Sequence, residues 1–209
     1  ITFKVEMPRR RWNNGSQQGS RLEFWLPVNN QLQFEGVNTD VAITKLAGGT
    51  RINTVNGDIQ ANELAGRVGL ETVNGKIQST DLNGKLNLNT VNGKIIDRNS
   101  QGEVKLETVN GDIKTNTSAR QVEISNVNGD LDLNLSKVNE LEISTVNGDL
   151  NLGLSLTDKS RVFISSVGGD ADIRFNGDIN AEFNIEAHSG GDITNKLTDH
   201  KVKKDRYGP

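Results

Sequence analysis

The chain has 209 residues, with 22 glycines but only six Phe, two Trp and one Tyr, too few large side chains for a compact globule of this length. The net charge of −3 excludes a strong overall field that would attract nucleic acid or membrane. The lack of cysteine excludes disulfides, thiolate chemistry and cysteine-based metal sites, and no apolar run is long enough to span a bilayer.

Residues 1–30 are predicted to cap the N-terminal end of the fold with one or more strands and a polar loop. The loop carries a basic and aromatic cluster, Arg9, Arg10, Arg11 and Trp12. One interpretation is a contact for anionic polysaccharide, lipid headgroups or nucleic acid, and the other is a solvated loop whose Trp covers the end of the core. Because the chain starts with Ile1 rather than Met, we expect it to be trimmed or processed.

Residues 31–195 consist of repeats centred on the motif Thr54-Val55-Asn56-Gly57-Asp58-Ile59. Copies follow one another at intervals of 18 residues, which widen to 19, 21 and 22 toward the C-terminus. Aliphatic residues alternate before and after each motif, as at Val68/Leu70, and this pattern is typical of strands with one buried face. Identical neighbouring repeats favour parallel stacking between coils over hairpins within a coil.

The predicted fold class is therefore all-β, a single-stranded parallel β-solenoid of about nine coils of 18–22 residues. The aliphatic positions of one coil are unevenly spaced, whereas a left-handed β-helix needs an aliphatic residue every sixth position. This spacing favours a right-handed β-helix over a left-handed one. The Asn-Gly pair is predicted to form the turn between two strands because both residues tolerate positive φ.

One asparagine per coil forms the most regular polar column. The structural interpretation is an amide ladder along one corner of the solenoid, and the functional one is a repetitive surface for glycan or ice. The parity of Thr72 with Val68 and Leu70 points the neighbouring threonine column inward, away from an ice-binding array. The predicted ladder consists of Asn56, Asn74, Asn92, Asn110, Asn128 and Asn147.

A column of charged residues follows the glycines, and its later members Asp112, Asp130, Asp149 and Asp170 stack like charges about 5 Å apart. A bound Ca²⁺ would relieve this repulsion, since hard cations prefer carboxylate oxygens. The simpler interpretation is a solvated acidic stripe in which some carboxylates cap turns, so no cofactor is predicted. These four aspartates and the Arg9–Trp12 cluster are the candidate interaction surface.

Residues 196–209 form a polar, basic tail, which we expect to be truncated. The recurrent Thr-Val-Asn-Gly-Asp-Ile, the segment Leu26-Pro27-Val28 and the tail Arg206-Tyr207-Gly208-Pro209 together resemble a bacterial family of unknown function known as adhesins. The resemblance covers nearly all of the chain from about Leu22. It implies a β-helical protein exported to the periplasm, outer envelope or cell surface, and it supplies no catalytic residues.

The leading functional hypothesis is a non-catalytic, exported, adhesin-like module that recognises a glycan or a surface protein, without nucleic acid and without a transmembrane segment in this chain. The first alternative is a polysaccharide-active enzyme whose cleft lies over the widened coils near Asp170, Asp172 and Asp178. The second is a structural element that self-associates through the ends of the solenoid.

Overall fold

The computed structural model describes residues 23–177 together with residues 194 and 196. The described part is all-β, and every strand pairing in it is parallel. The strands are β1 Leu32–Asn38, β2 Val41–Thr44, β3 Thr50–Asn56, β4 Ile59–Asn62, β5 Ala65–Asn74, β6 Ile77–Thr80, β7 Asn83–Asn92, β8 Ile95–Arg98, β9 Gln101–Asn110, β10 Ile113–Thr117, β11 Gln121–Asn128, β12 Leu131–Asn147, β13 Leu150–Ser166 and β14 Ala171–Phe175.

The strands form two walls of one folded sheet. The first wall contains β1, β3, β5, β7, β9 and β11, followed by the later halves of β12 and β13. The second wall contains β2, β4, β6, β8 and β10, the first halves of β12 and β13, and finally β14. This arrangement confirms the predicted parallel β-solenoid, with eight coils within the described residues. The ninth repeat copy, at residues 189–193, lies outside them.

The core is a stack of aliphatic columns that are contributed by both walls. Ile52, Leu70 and Leu88 of the first wall are fully buried, as are Ile59 and Ile77 of the second. Register is kept from coil to coil, so isoleucine lies on isoleucine at Ile59, Ile77, Ile95 and Ile113. Truncating one such side chain to Ala costs about 2–5 kcal/mol in a well-packed core.

The corner after the first wall, the Asn corner, contains the Asn-Gly pairs. The predicted positive φ is found at Gly111, Gly129 and Gly148, with φ of 136–153°, but not at Gly57, Gly75 and Gly93. At all six glycines the neighbouring coil leaves no room for a side chain, and a Cβ on Gly75 would lie 2.1 Å from the carbonyl oxygen of Gly57, one coil earlier. The stacked backbones approach too closely for any side chain, so the glycines permit contact between coils.

The opposite corner, where the chain returns from the second wall to the first, has left-handed residues that are not glycine. Lys45, Glu63, Asp81 and Asn99 all adopt φ between 53° and 60°. Toward the C-terminus β12 and β13 run through this corner as continuous strands of 17 residues. The extra residues of the longer repeats lie at this corner, where the register between β12 and β13 shifts near Val138.

The predicted N-terminal cap at residues 1–30 is described only from residue 23, and residues 23–31 contain no strand. Residues 1–22 and most of the predicted tail at 196–209 lie outside the described residues. No helix in the described part of the chain is long and apolar enough to cross a membrane.

Candidate functional site: two outer walls and the Asn corner

The asparagines of the Asn corner form a continuous hydrogen-bonded ladder. In each rung the side-chain Nδ2 donates to Oδ1 of the asparagine one coil earlier, over 2.8–2.9 Å. The ladder starts at Asn38, one coil before the first predicted member, and ends at Asn147. Each inner side-chain amide of the ladder therefore donates one hydrogen bond to a neighbouring amide and accepts one from the other neighbour. The column stabilises the stacked coils.

The aspartates that follow the glycines also bind the backbone. Oδ1 of Asp130 accepts the N–H of Asp149 over 3.0 Å, and Oδ1 of Asp149 accepts the N–H of Asp170 at the same distance. The carboxylates of Asp40, Asp58 and Asp112 accept in the same way. Each carboxylate is thus held by an amide dipole of the next coil, which offsets the repulsion between stacked like charges.

Lys94 lies one coil before Asp112, at the N-terminal end of the acidic column. Its Nζ lies 2.9 Å from Oδ2 of Asp112. This contact, followed by the N–H of Asp130, lowers the pKa of Asp112 below its ordinary value. Among the described residues no group of three or more acidic or histidine side chains is arranged to hold a metal ion.

The threonines point inward, as their parity predicts, and all of them except Thr145 are bound to the preceding turn. The hydroxyl of Thr72 donates to the carbonyl of Gly57 over 3.0 Å, and that of Thr90 to Gly75 over 3.1 Å. Asn126 interrupts this column, because its Nδ2 donates to Gly129 O over 2.7 Å. That carbonyl is the counterpart acceptor for Thr145, whose buried hydroxyl has no partner in the described part of the chain.

The outer face of the first wall is covered by ion pairs. Lys85 Nζ lies 2.7 Å from Glu103, and Lys105 Nζ lies 2.8 Å from Glu123 and 3.1 Å from Glu107. The two glutamates raise the pKa of Lys105. Two more pairs, Arg51–Glu71 and Arg161–Glu140, continue the pattern toward both ends. These charged side chains therefore neutralise one another in ion pairs between coils.

The outer face of the second wall is different, because its first three strands carry no charge there. Outward side chains of β4 and β6 are amides and hydroxyls at the same strand positions in successive coils. Among the described residues, Gln60, Gln78 and Asn116 have no hydrogen-bond partner for their side chains, so these groups face solvent. We call this surface the amide face, although β8 interrupts it with Ile96 and Arg98 at the same positions. It consists of Thr44, Gln60, Asn62, Gln78, Thr80, Asn116 and Asn134.

Two shallow depressions lie on the second wall. The first, of about 460 Å³, spans β2, β4 and β6 and is lined by Thr44, Gln60, Asn62 and Gln78 among others. The second, of about 330 Å³, spans β8, β10 and β12. Its rim adds Arg98 and Lys114, the latter ion-paired with Asp132, so the wall passes from neutral to mixed charge along its length.

A polar cluster lies inside the second wall, beneath the second depression. Asp97 is buried in a column that elsewhere contains Ala61 and Leu133. Its carboxylate accepts hydroxyl hydrogen bonds from Ser79 (2.5 Å), Ser100 (2.6 Å) and Thr115 (3.1 Å). Burial raises the pKa of Asp97, and the three hydroxyls only partly oppose this effect.

The sequence-derived candidates are distributed unevenly. Asp112, Asp130, Asp149 and Asp170 lie together at the Asn corner, and all accept or donate hydrogen bonds within it. Arg9, Arg10, Arg11 and Trp12 lie outside the described residues. Of the predicted cleft residues, Asp172 forms an ion pair with Arg174, and Asp178 lies outside the described residues.

The amide face was not predicted from the sequence, although a signal for it exists. The first and third residues after the core isoleucine are Gln and Asn in β4, Gln and Thr in β6, and Lys and Asn in β10. The outward position of these residues follows from the same period-two alternation that identified the core.

A family model matches residues 51–208, and the matched segment spans the Asn corner and both walls. The chain belongs to the Toastrack DUF4097 family. No curated protein and no solved structure matches the chain. The Toastrack match agrees with the β-solenoid that the sequence resemblance implies, and it assigns no activity or ligand.

The Toastrack solenoid has one further exposed feature, a valine column beside the Asn ladder. Val55, Val73, Val91, Val109, Val127 and Val146 are each 37–41% exposed. They lie in register from coil to coil and form a narrow apolar ridge. Nothing in the structure shows what covers this ridge.

Proposed function

We propose that this Toastrack chain is a non-catalytic, exported interaction module whose amide face recognises an extended glycan of the envelope or cell surface. The observation that carries the proposal is the repetition of uncharged amides and hydroxyls at matching positions of β4 and β6, where Gln60 and Gln78 have no side-chain partner among the described residues. Such groups both donate and accept hydrogen bonds, as sugar hydroxyls do.

The spacing of the face supports a polymer as the ligand. Neighbouring coils are about 4.8 Å apart, which is comparable to the length of a pyranose ring. A chain of sugars lying along the solenoid axis meets one set of amides and hydroxyls at β4 and another at β6, before β8 presents Ile96 and Arg98 at the same positions. Each contact is weak, and the summed contacts of several coils supply affinity without a deep pocket, in keeping with the shallow depressions.

The charged first wall is the weaker candidate for a glycan ligand. Its lysines and glutamates already satisfy one another, and a ligand there must break those pairs before it gains new contacts. The amide face has a smaller cost, because the side chains of Gln60, Gln78 and Asn116 have no hydrogen-bond partner among the described residues.

The test is binding of the purified protein to an array of glycans and cell-envelope polysaccharides, with and without Ca²⁺. We expect binding that is independent of Ca²⁺, weakened by the double variant Gln60→Ala/Gln78→Ala and retained by the matched first-wall variant Lys85→Ala/Glu103→Ala. Binding lost only with the first-wall variant contradicts the proposal, and so does silence across the array.

Two further assays separate the remaining hypotheses. Release of reducing ends or unsaturated sugars from the array polysaccharides, abolished by Asp172→Asn, supports an enzyme in place of a binding module. Sedimentation that depends on protein concentration supports self-association through the solenoid ends. Export is tested by fractionating cells that express the full-length protein, and recovery in the cytosol contradicts that part of the proposal.

A further inference from the structure

The Asn ladder combines two chemical properties in the same residues. Six of its asparagines, from Asn56 to Asn147, are each followed by glycine. An Asn-Gly pair is especially prone to cyclisation, since the unhindered glycine nitrogen attacks the side-chain Cγ of the asparagine. The reaction requires the side chain to rotate toward that nitrogen and the nitrogen to lose its proton.

In the inner rungs both reacting groups are held by neighbouring coils. The side chain of Asn92 donates to Asn74 and accepts from Asn110, each over 2.9 Å, which fixes its Cγ. The N–H of Gly93 donates to Asn110 O over 3.0 Å, which masks the nucleophile. The same backbone bond protects Gly57, Gly75, Gly111 and Gly129, over 2.8–3.2 Å.

The last rung, Asn147–Gly148, has only half of this protection. Nδ2 of Asn147 donates to Asn128 over 2.9 Å. The equivalent residue of the next coil is Gly168, which has no side-chain amide to donate to Oδ1 of Asn147 and whose backbone N–H donates to Val146 O. Within the described residues, the N–H of Gly148 donates to no backbone carbonyl, unlike the equivalent glycines of the five preceding rungs. Asn147 is also exposed to water.

We propose that Asn147 is the site of spontaneous deamidation in the folded ladder. The N–H of Gly148 gives its proton to water or hydroxide, and the nitrogen bonds to Cγ of Asn147. The bond from Cγ to Nδ2 then breaks and ammonia leaves, forming a cyclic imide. Water opens either imide carbonyl, so the net reaction consumes one water, releases one ammonia and yields aspartate or isoaspartate.

The product weakens the rung beneath it. Isoaspartate lengthens the backbone by one carbon, which displaces the Asn147 carbonyl that holds Gly129 N–H over 3.0 Å. The new carboxylate also has no N–H to donate to Oδ1 of Asn128. Deamidation therefore proceeds inward, from Asn147 to Asn128, and reaches the N-terminal rungs last.

The first experiment is peptide mapping by mass spectrometry, with isoaspartate detection, after the folded protein is incubated in mildly alkaline buffer. We expect Asn147 to convert roughly two- to tenfold faster than Asn92 for each hydrogen bond that it lacks. In denaturant the two sites are expected to react at similar rates. Equal rates in the folded protein, or a faster reaction at Asn92, overturn the proposal.

The second experiment moves the end of the ladder. A Cβ at Gly168 would make only ordinary contacts, with its nearest neighbour at 3.4 Å, so the position accepts a side chain. In Gly168→Asn the new amide lies in register to donate to Asn147. We expect Asn147 to react several-fold more slowly and residue 168, now the terminal Asn-Gly, to become the fastest ladder site.

The matched control is Gly168→Ala, which fills the same space but supplies no donor, and Asn147 should react there at the wild-type rate. Thermal unfolding of both variants verifies that they remain folded. Equal protection of Asn147 by alanine and asparagine attributes the effect to bulk at residue 168, and contradicts the ladder-end account.

Discussion

The two walls of the solenoid share one register and one core, but they differ in how their polar groups are satisfied. On the outer face of the first wall the charged side chains form ion pairs between coils, such as Lys85–Glu103, whereas on the amide face of the second wall Gln60, Gln78 and Asn116 face solvent. The two walls also differ in the polar groups that they bury on their inner faces. The first wall binds threonine hydroxyls to backbone carbonyls, and the second buries the carboxylate of Asp97. A repeat that keeps the backbone constant thus permits each wall to carry different chemistry.

The largest expected effect concerns Asp97. Its raised pKa means that the folded state holds the proton more tightly than the unfolded state does. The stability that comes from this proton is present below about pH 4, the ordinary range of aspartate, and is lost as pH rises through the folded pKa. Each tenfold difference in proton affinity between the two states contributes about 1.4 kcal/mol.

Denaturant unfolding across this pH range should therefore show that wild type loses stability relative to Asp97→Asn as pH rises. The hydroxyl partners of Asp97 do not titrate, so the difference between the two proteins isolates this carboxyl. Parallel curves for the two proteins contradict the buried position of Asp97. Asp112, whose pKa is lowered, has the opposite sign and loses its contribution as pH falls.

The second prediction compares one buried threonine from each wall. Thr115 donates to the carboxylate of Asp97 over 3.1 Å, and Thr108 donates to the carbonyl of Gly93 over 3.3 Å. Hydrogen bonds to charged groups contribute more, so once Asp97 is ionised Thr115→Val should lower the free energy of unfolding by about 1.5–3 kcal/mol and Thr108→Val by about 0.5–1.5 kcal/mol. Chemical denaturation from acidic to alkaline pH measures both, and the reverse order at the alkaline end refutes the contrast between the walls.

The third prediction concerns Asn126, which interrupts the threonine column of the first wall. A threonine at this position would donate to the preceding turn like its column neighbours, and Gly129 O would become available to the orphaned hydroxyl of Thr145. We expect Asn126→Thr to raise the free energy of unfolding by about 1 kcal/mol. The matched variant Thr90→Asn introduces the interruption into an intact coil and should destabilise the protein. A higher free energy of unfolding in both variants would show that stability does not depend on having threonine in this column.

The smallest effect is expected on the outer surfaces. Glu103→Gln breaks an exposed ion pair and should cost at most about 1 kcal/mol, and less at high salt. Gln78→Ala on the amide face should leave stability nearly unchanged, because this side chain has no partner among the described residues. Thermal unfolding at two salt concentrations measures both. A large loss for Gln78→Ala reveals a structural role for the amide face.

The solenoid, its parallel register and the inward threonines follow from the sequence because short-range periodicity encodes them directly. The close approach of the coils at the turn glycines does not follow, since the contact that excludes a Cβ at Gly75 comes from the neighbouring coil. Similarly, Asp97 occupies a core position in the pattern, but only the structure reveals the hydroxyls of three different strands and turns that solvate it.

The candidate site was harder to predict than the fold for a related reason. The acidic column attracts attention because like charges stack, yet Asp130 and Asp149 are satisfied by backbone N–H groups of the next coil. The amides of Gln60 and Gln78 do not stand out in the sequence, and they become a surface only when adjacent strands align them. Whether a polar group is already bound depends on contacts between coils, and composition does not report those contacts.

Hydrogen–deuterium exchange, with and without the polysaccharide that binds on the array, tests the central claim most directly. The amide face predicts that the ligand increases protection in β4, β6 and β10 of the second wall, which carry its amides, and leaves β5, β7 and β9 of the first wall unchanged. Protection confined to the first wall or to the Asn corner would contradict the assignment of the second wall as the binding surface.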